Sequence, residues 1–200
     1  MPRLARYLTH PDVQIDPLVE IGSWSLNERG ASRVAALVQE LGALKDTKHV
    51  FSSAETKALE TATPLASALG ASVKVRTGMH ENDRSSTGFL PPEEFETVAD
   101  RFFAEPSASV RGWETAADAQ HRIMKETFSC LAEAKDGDVL IVGHGAVGTL
   151  LFCALAGQQI DRRFHQGSSG GGCWFEFDID HPIPSRGWRL MESLSAGMGA

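Results

Sequence analysis

Strand-length apolar runs alternate along the chain with stretches of helical periodicity, and this alternation limits the fold more than any other feature. The run Val139–Val142 is apolar at every position, as in a central parallel strand, and a predicted helix over Gly145–Leu155 follows it. Further strands are predicted at Leu4–Leu8, His49–Phe51, Val73–Val75, Cys173–Phe177 and Trp188–Met191, and further helices at Ala31–Leu41, Ala58–Leu69, Glu93–Phe103 and Thr115–Ala134. The pattern predicts an α/β fold in three α/β/α layers with a mostly parallel central sheet.

Length and composition favour one domain. The chain has 200 residues, of which 42% are apolar and 22% charged, which is ordinary for a globular protein. We predict a single domain over residues 1–192. Residues 82–113 are polar and proline-marked, and we interpret them as a lid-like excursion over the surface. Residues 193–200 are small and glycine-rich and are predicted to be a flexible tail.

The charge balance limits the partners. With 19 basic and 26 acidic residues the net charge is -7, which argues against a nucleic-acid or anionic-membrane surface. The sequence has no apolar stretch of signal-peptide or membrane-span length, so a cytoplasmic protein is expected. The three cysteines lie far apart without a CxxC pair, and the histidines lack metal-ligand spacing. No metal, cofactor or disulfide is therefore predicted, and the oligomeric state stays open.

Chemically suggestive side chains follow four of the predicted strands. In parallel sheets, ligands bind outside the carboxyl ends of the strands, so these exits are where a site is expected. Lys57 lies in the first turn of a helix, where it opposes the helix dipole, and this indicates an anion nearby. His144 lies between two glycines at a helix start, a position suited to phosphate. The side chains concerned are His10, Lys57, Glu81 and His144.

Less specific interpretations compete with this one. His10 alone is compatible with a loop residue, and Lys57 and Glu81 with solvated surface charges. The segment Ser52–Glu55 resembles a capping box that opens the following helix. Gly143–Gly148 reads G-x-G-x-x-G, but the acid-ended strand that a dinucleotide fold needs about 20 residues later is missing. A dinucleotide-binding module is therefore the weakest alternative.

Several motifs together resemble the histidine phosphatase (phosphoglycerate mutase-like) superfamily. The segment Tyr7–Asp12 resembles its L-x-R-H-G-E signature, and Ser52–Ala62 is similar to S-S-P-x-x-R-A-x-x-T-A. Val142–Gly145 resembles V-x-H-G, and His80-Glu81 occupies the place of the family's acid. Trp24–Gly30 and Gly112–Thr115 are similar to two further family segments, so the resemblance spans most of the chain.

The resemblance implies a phosphomonoester hydrolase that acts on a small phosphorylated metabolite or a phosphoprotein. It implies His10 as the nucleophile that forms a phosphohistidine and Glu81 as the proton donor and acceptor. The implied phosphate-binding residues are Lys57, His144, Thr9 and Gly145, and the implied lid residues are Arg84 and Arg111. A non-catalytic relative that binds a phosphorylated ligand or a partner is the main alternative, and phosphoglycerate mutase activity is a third.

The chain departs from the family pattern next to the nucleophile. Thr9 stands where the family has an arginine, Pro11 replaces a glycine, and Lys57 replaces a second arginine. Losing one charge-assisted contact costs about 1.5–3 kcal/mol, or roughly ten- to hundredfold in rate. Reduced activity is expected unless Arg6, Arg84 or Arg111 compensates. Arg6 is the poorest of these candidates, because four positions along a strand place it about 13 Å from His10. Asp16, which replaces an asparagine of the mutases, would repel phosphate if it lay nearby.

Overall fold

A six-stranded sheet forms the centre of the structure, a computed structural model that describes residues 2–167 and 169–195. The strand order is β3-β2-β4-β1-β5-β6. The strands are β1 (Leu4–Thr9), β2 (Thr47–Ser53), β3 (Val73–Arg76), β4 (Asp138–Gly143), β5 (Cys173–Asp178) and β6 (Arg189–Leu190). The first four in that order are parallel, whereas β5 and β6 are antiparallel to their neighbours.

Helices cover both faces of the sheet. They are α1 (Glu28–Gln39), α2 (Thr56–Ala68), α3 (Pro92–Ala104), α4 (Ala116–Glu133), α5 (Gly145–Leu155) and α6 (Glu192–Ser195). One core cluster joins α3, α4 and α5 to one sheet face, and a second joins α1, α2 and α6 to the other. The predicted α/β/α architecture with a mostly parallel sheet is confirmed.

The apolar run in β4 explains its central place. Val139 and Ile141 belong to one core cluster, whereas Leu140 and Val142 belong to the other. A strand buried on both faces needs an apolar residue at every position, because successive side chains point to opposite faces.

The sheet register brings three strand ends to one edge. Thr9 of β1 pairs with Gly143 of β4, and Ser52 of β2 pairs with Val142 of β4. The residues that follow these strands therefore meet above the same edge.

The excursion over residues 82–113 is partly a core element. It contains α3, and Phe102, Phe103 and Trp113 are buried against the sheet. The predicted helix over Glu93–Phe103 is present, and the same segment lines one side of the cavity described below.

Three residues of the predicted tail lie in or at the end of α6, where Leu194 is buried. The rest of that tail, residues 196–200, lies outside the described residues. Within the described ranges, no helix combines the length and apolar character that a bilayer crossing requires.

The capping box expected at Ser52–Glu55 does not form. Helix α2 begins at Thr56, Glu55 is its N-cap residue, and no side chain caps its first turn. The hydroxyl of Ser53 instead accepts a hydrogen bond from Glu55 N at 3.2 Å, which shapes the turn between β2 and α2. The Glu55 carboxylate is consequently free to face the strand ends.

Candidate active site

The rings of His10 and His144 meet at the carboxyl edge of the sheet. Their centroids are 5.3 Å apart and the ring planes are inclined by 65°. His10 follows β1 and His144 follows β4, and His10 N donates to Gly143 O at 3.0 Å, which ties the two strand ends together. Two histidines 134 positions apart in the chain are thus neighbours because their strands are adjacent and in register.

The environment of His10 suits a nucleophile. Its Nδ1 lies 2.9 Å from Pro11 O, and because a carbonyl only accepts, Nδ1 carries the proton and Nε2 keeps its lone pair. Burial, with His144 next to it, lowers the pKa of His10 to about 3, so the ring is neutral near pH 7. The backbone of Gly171 packs closely against that of His10, since a Cβ on Gly171 would lie 2.3 Å from His10 O.

His144 is fully buried and held from both sides. The Tyr7 hydroxyl accepts from His144 N at 3.0 Å and donates to His144 O at 3.1 Å. Nε2 lies 2.8 Å from Ser53 Oγ, whereas Nδ1 is buried without a partner among the described residues. If Ser53 donates to Nε2, the neutral ring keeps a hydrogen on Nδ1 that an anion can accept. Burial lowers the pKa of His144 to about 3.

The Glu81 carboxylate caps the first turn of α5. Its Oε2 accepts from Ala146 N at 3.1 Å, and its Oε1 accepts from Val147 N at 3.0 Å and from Asn82 N at 3.1 Å. The backbone N–H groups after Gly145, which the sequence assigns to phosphate, are therefore engaged by Glu81. Because Oε2 has a single partner, it is the oxygen with room to carry a proton.

Glu55 is a site residue that the sequence analysis missed. Its Oε1 lies 3.5 Å from His144 Nε2 and accepts from Glu81 N at 2.8 Å, and its Oε2 pairs with Lys57 Nζ. Burial opposes its ionisation, but His144 and Lys57 nearby lower the pKa of Glu55 to about 2. Only its place two residues before Lys57 could have indicated this role.

Lys57 is buried beside the site, but its charge is already compensated. Besides Glu55, the Nζ atom donates to Ile21 O at 2.8 Å. The site therefore combines two neutral imidazoles with a lysine whose charge Glu55 compensates.

Thr9, assigned to phosphate binding from the sequence, is packed beneath the site. Its side chain is fully buried, accepts from Cys173 N at 2.9 Å and donates to Gln166 Oε1 at 2.6 Å. These contacts fasten β1 to β5 and position Gln166.

Four other charged residues considered from the sequence, three arginines and one aspartate, lie in different places. Arg84 lines the cavity, whereas Arg111 is exposed, pairs with Glu94 and does not line it. Arg6 pairs with Asp138 and Glu176 at the opposite end of the strand. The Asp16 carboxylate accepts from Leu18 N and lies outside the cavity wall, so the repulsion considered above has no geometric basis.

A cavity of about 360 Å³ opens above the strand ends. His10, Lys57, Glu81 and Gly145 form its polar end, and the buried His144 ring packs edge-on against the His10 ring. Its aromatic lining residues are Trp24, Phe95, Phe102, Phe103 and Trp113. Such a cavity suits a small ligand with one anionic end and an apolar body.

The glycines of the G-x-G-x-x-G segment serve side-chain packing. A Cβ at Gly143 or Gly148 would lie 2.3 or 2.5 Å from the Tyr7 side chain, and one at Gly145 would lie 2.5 Å from Gln166 Nε2. The next strand, β5, runs antiparallel to β1, unlike the parallel strand that a dinucleotide fold requires.

Among the described residues, no group of three or more His, Cys, Asp or Glu side chains could hold a metal ion.

The chain belongs to the histidine phosphatase superfamily (branch 1). A model of this family matches residues 19–185, more than half of the chain, which confirms the resemblance drawn from the motifs. The match begins after the divergent segment that carries Thr9, His10 and Pro11. No curated protein sequence matches the chain.

Solved structures confirm the fold. A mycobacterial glucosyl-3-phosphoglycerate phosphatase is 18% identical with a TM-score of 0.72, covering 95% of this chain and 97% of that one. A phosphoserine phosphatase from Entamoeba histolytica, solved with 3-phosphoglyceric acid, is 16% identical with a TM-score of 0.74, at 96% and 99% coverage. A putative α-ribazole-5'-P phosphatase from Escherichia coli K-12 is 19% identical with a TM-score of 0.70 and 100% coverage of both chains.

Proposed function

We propose that this protein is a phosphomonoester hydrolase that acts through a phosphohistidine on His10. The observation that carries the proposal is the approach of the His10 and His144 rings to 5.3 Å at the polar end of the cavity. At that distance the two rings pack edge-on, and one nitrogen of each would contact the same phosphoryl group. The family membership and the names of the similar phosphatases support the same class of reaction, with a small phosphorylated compound as substrate.

The proposed reaction has two steps. In the first, His10 Nε2 attacks phosphorus, the bond to the ester oxygen breaks, and a proton on Glu81 Oε2 passes to that oxygen. In the second, Glu81 takes a proton from water, the water oxygen attacks phosphorus, and the P–N bond breaks. Phosphate leaves, and His10 returns neutral with its Nδ1 proton on Pro11 O.

The remaining groups would stabilise charge on the transferred phosphoryl group. His144 Nδ1, which has no partner among the described residues, would donate to one oxygen. Lys57 would add its charge once the anion competes with Glu55. Gly145 lines the same end of the cavity and allows close approach of the ligand to the backbone.

Hydrolysis of 4-nitrophenyl phosphate, with and without a chelator, tests this proposal. Wild-type protein is expected to turn over in both conditions, whereas His10→Ala is expected to lose activity to background. His181→Ala removes an exposed histidine and is the matched control. Equal turnover by wild-type protein and His10→Ala would refute the proposal.

A second candidate is a non-catalytic member that binds a phosphorylated ligand. The pairing of Lys57 with Glu55 favours it, because it leaves the phosphoryl end without an uncompensated cation. Brief exposure to substrate separates the two: an acid-labile phosphoryl group on His10 identifies the enzyme, and binding without this adduct identifies the non-catalytic protein.

The three free cysteines fit the reducing cytoplasm, which we propose as the location of the protein.

A further inference from the structure

Arg33 of α1 joins three segments of the chain that are distant in sequence. Its side chain is 11% exposed. The Nη1 atom donates to Asp12 Oδ2 at 3.0 Å and to Gly171 O at 3.1 Å, and Nη2 donates to Gly172 O at 3.4 Å. The Nε and Nη2 atoms donate to the two carboxylate oxygens of Glu192 at 2.7 and 3.2 Å. All three nitrogens of the guanidinium are therefore engaged, as the planar fork of an arginine allows.

These contacts surround the segment that carries His10. Asp12 lies two residues after His10, and Gly172 N donates to His10 O at 2.9 Å. The first turn of α1 packs directly against the same segment, because a Cβ on Gly30 would lie 2.2 Å from Asp12 O. Arg33 therefore fixes Asp12 relative to Gly172, to which the backbone of His10 is bonded.

The carbonyl of Pro11 sets which ring nitrogen of His10 is free to attack. It lies 2.9 Å from His10 Nδ1 and keeps the proton there, so that Nε2 retains its lone pair. A rotation of the peptide between Pro11 and Asp12 would move this carbonyl away from Nδ1. The carboxylate of Asp12 is bound by Arg33, and its carbonyl accepts from Asn27 N at 3.0 Å. Held at both points, Asp12 keeps that peptide in one orientation.

We infer that Arg33 is a positioning residue for the proposed nucleophile, because its grip on Asp12 holds His10 in the tautomer and position that present Nε2 to the phosphoryl group. The inference rests on the proposed function and adds a residue to its machinery. Arg33 lies outside the cavity wall, so it acts through Asp12 and Pro11 and does not touch the substrate. Its loss consequently slows the chemical step more than it weakens binding of the anion.

Arg33→Met tests the inference, because it removes the guanidinium and keeps an apolar side chain. A displacement of about 1 Å in a reacting group can cost about a hundredfold in rate, so kcat on 4-nitrophenyl phosphate is expected to fall about tenfold or more, with the Kd of inorganic phosphate changed by about twofold or less. The ¹⁵N shifts of the His10 ring, assigned with His10→Ala, give a second readout. Wild-type protein is expected to show the Nδ1–H tautomer, and Arg33→Met a mixture of both tautomers.

Two variants separate this role from a merely structural one. Arg29→Met removes another cation that pairs with Asp12, at 3.4 Å, but from a side chain that is 71% exposed. Glu192→Ala removes the acceptor that ties Arg33 to α6 and leaves the contact with Asp12 in place. Both variants are expected to keep the wild-type kcat and the wild-type tautomer of His10. Urea unfolding of each variant separates a loss of stability from a loss of turnover.

The outcomes distinguish the positioning role from the hydrolase itself. An unchanged kcat or an unchanged His10 tautomer in Arg33→Met would overturn the inference, and so would an equal fall of kcat in Glu192→Ala. If Arg33→Met does not fold, Arg33→Lys replaces it, because an ammonium cannot reproduce the fork, and wild-type values in Arg33→Lys would overturn the inference. If wild-type protein forms no phosphohistidine, the hydrolase proposal fails. The tautomer then decides alone: a mixture in Arg33→Met supports the positioning role, and an unchanged tautomer overturns it.

Discussion

Glu55 Oε1 lies 3.5 Å from His144 Nε2, and the other oxygen of the same carboxylate pairs with Lys57. A buried anion thus lies between His144 and Lys57, two of the four residues that the family resemblance assigns to phosphate. His10 and His144 are neutral near pH 7, so the positive charge that these groups contribute is that of Lys57. The Glu55 carboxylate compensates this charge. An incoming phosphate dianion must therefore compete with Glu55 for Lys57.

Glu55→Gln is expected to strengthen phosphate binding at pH 8, where phosphate is a dianion and His144 is neutral. The amide keeps an oxygen that can accept from Glu81 N, so the change removes charge more than structure. Two charges about 4 Å apart near a protein surface interact by about 4 kcal/mol. If the substitution removes a repulsion of about a third of that energy, phosphate binds about tenfold more tightly. The Kd of inorganic phosphate, measured by calorimetry, checks the prediction.

Glu28→Gln is the control for Glu55→Gln, because it removes the same charge from an exposed position in the first turn of α1. It is expected to leave phosphate affinity unchanged. Weaker phosphate binding by Glu55→Gln would show that the carboxylate acts mainly by holding Lys57 and His144 in place.

The sequence predicted the sheet and the meeting of His10 with His144, because both depend on local pattern. Apolar runs identify strands, and parallel strands in register bring their carboxyl ends to one edge. The roles of Glu55 and Thr9 depend instead on side-chain direction across strands. From the sequence, Glu55 is interpreted only as part of a capping box, and Thr9 only as the replacement of a phosphate-binding arginine. Only the neighbouring β5, Gln166 and His144 distinguish these interpretations.

Buried, neutral His144 is expected to make the protein less stable as the pH falls. In the unfolded chain the pKa of histidine is about 6.5, whereas in the fold that of His144 is lowered to about 3. Between these values the unfolded chain binds a proton that the folded protein does not, so the free energy of unfolding falls with decreasing pH. The slope is up to about 1.4 kcal/mol per pH unit for one histidine.

Urea unfolding of His144→Gln between pH 6 and pH 4 checks this contribution. The variant is expected to show a shallower pH dependence than wild-type protein, whatever its stability at pH 7. His181→Gln, which changes an exposed histidine, is expected to retain the wild-type slope. Parallel curves for wild-type protein and His144→Gln would contradict the prediction.

Thr9→Val is expected to destabilise the fold by about 1–3 kcal/mol. Valine has the same shape but leaves the buried Cys173 N without its present acceptor and removes the hydrogen bond to Gln166 Oε1. Thr97→Val, at an exposed position of α3, is expected to change stability by about 0.5 kcal/mol or less. Chemical denaturation measures both variants. Unchanged stability with weakened phosphate binding would instead favour the phosphate-binding role assigned from the sequence.

Gly148→Ala is expected to lower both stability and turnover, because the new Cβ would lie 2.5 Å from Tyr7 Cε1 and 3.0 Å from Trp188 Cη2. Alanine in a helix gains about 1 kcal/mol over glycine, but overpacking costs about 1–3 kcal/mol, so a net loss of up to about 2 kcal/mol is expected. Displacing Tyr7 also loosens the two hydrogen bonds that hold the His144 backbone, and kcat should fall with it. Gly187→Ala, with no neighbouring atom within 4 Å of its Cβ, is the control, and denaturation curves and kcat on an aryl phosphate are the measurements. A Gly148→Ala protein that is more stable than wild type with unchanged kcat would show that the Tyr7 contact does not position His144.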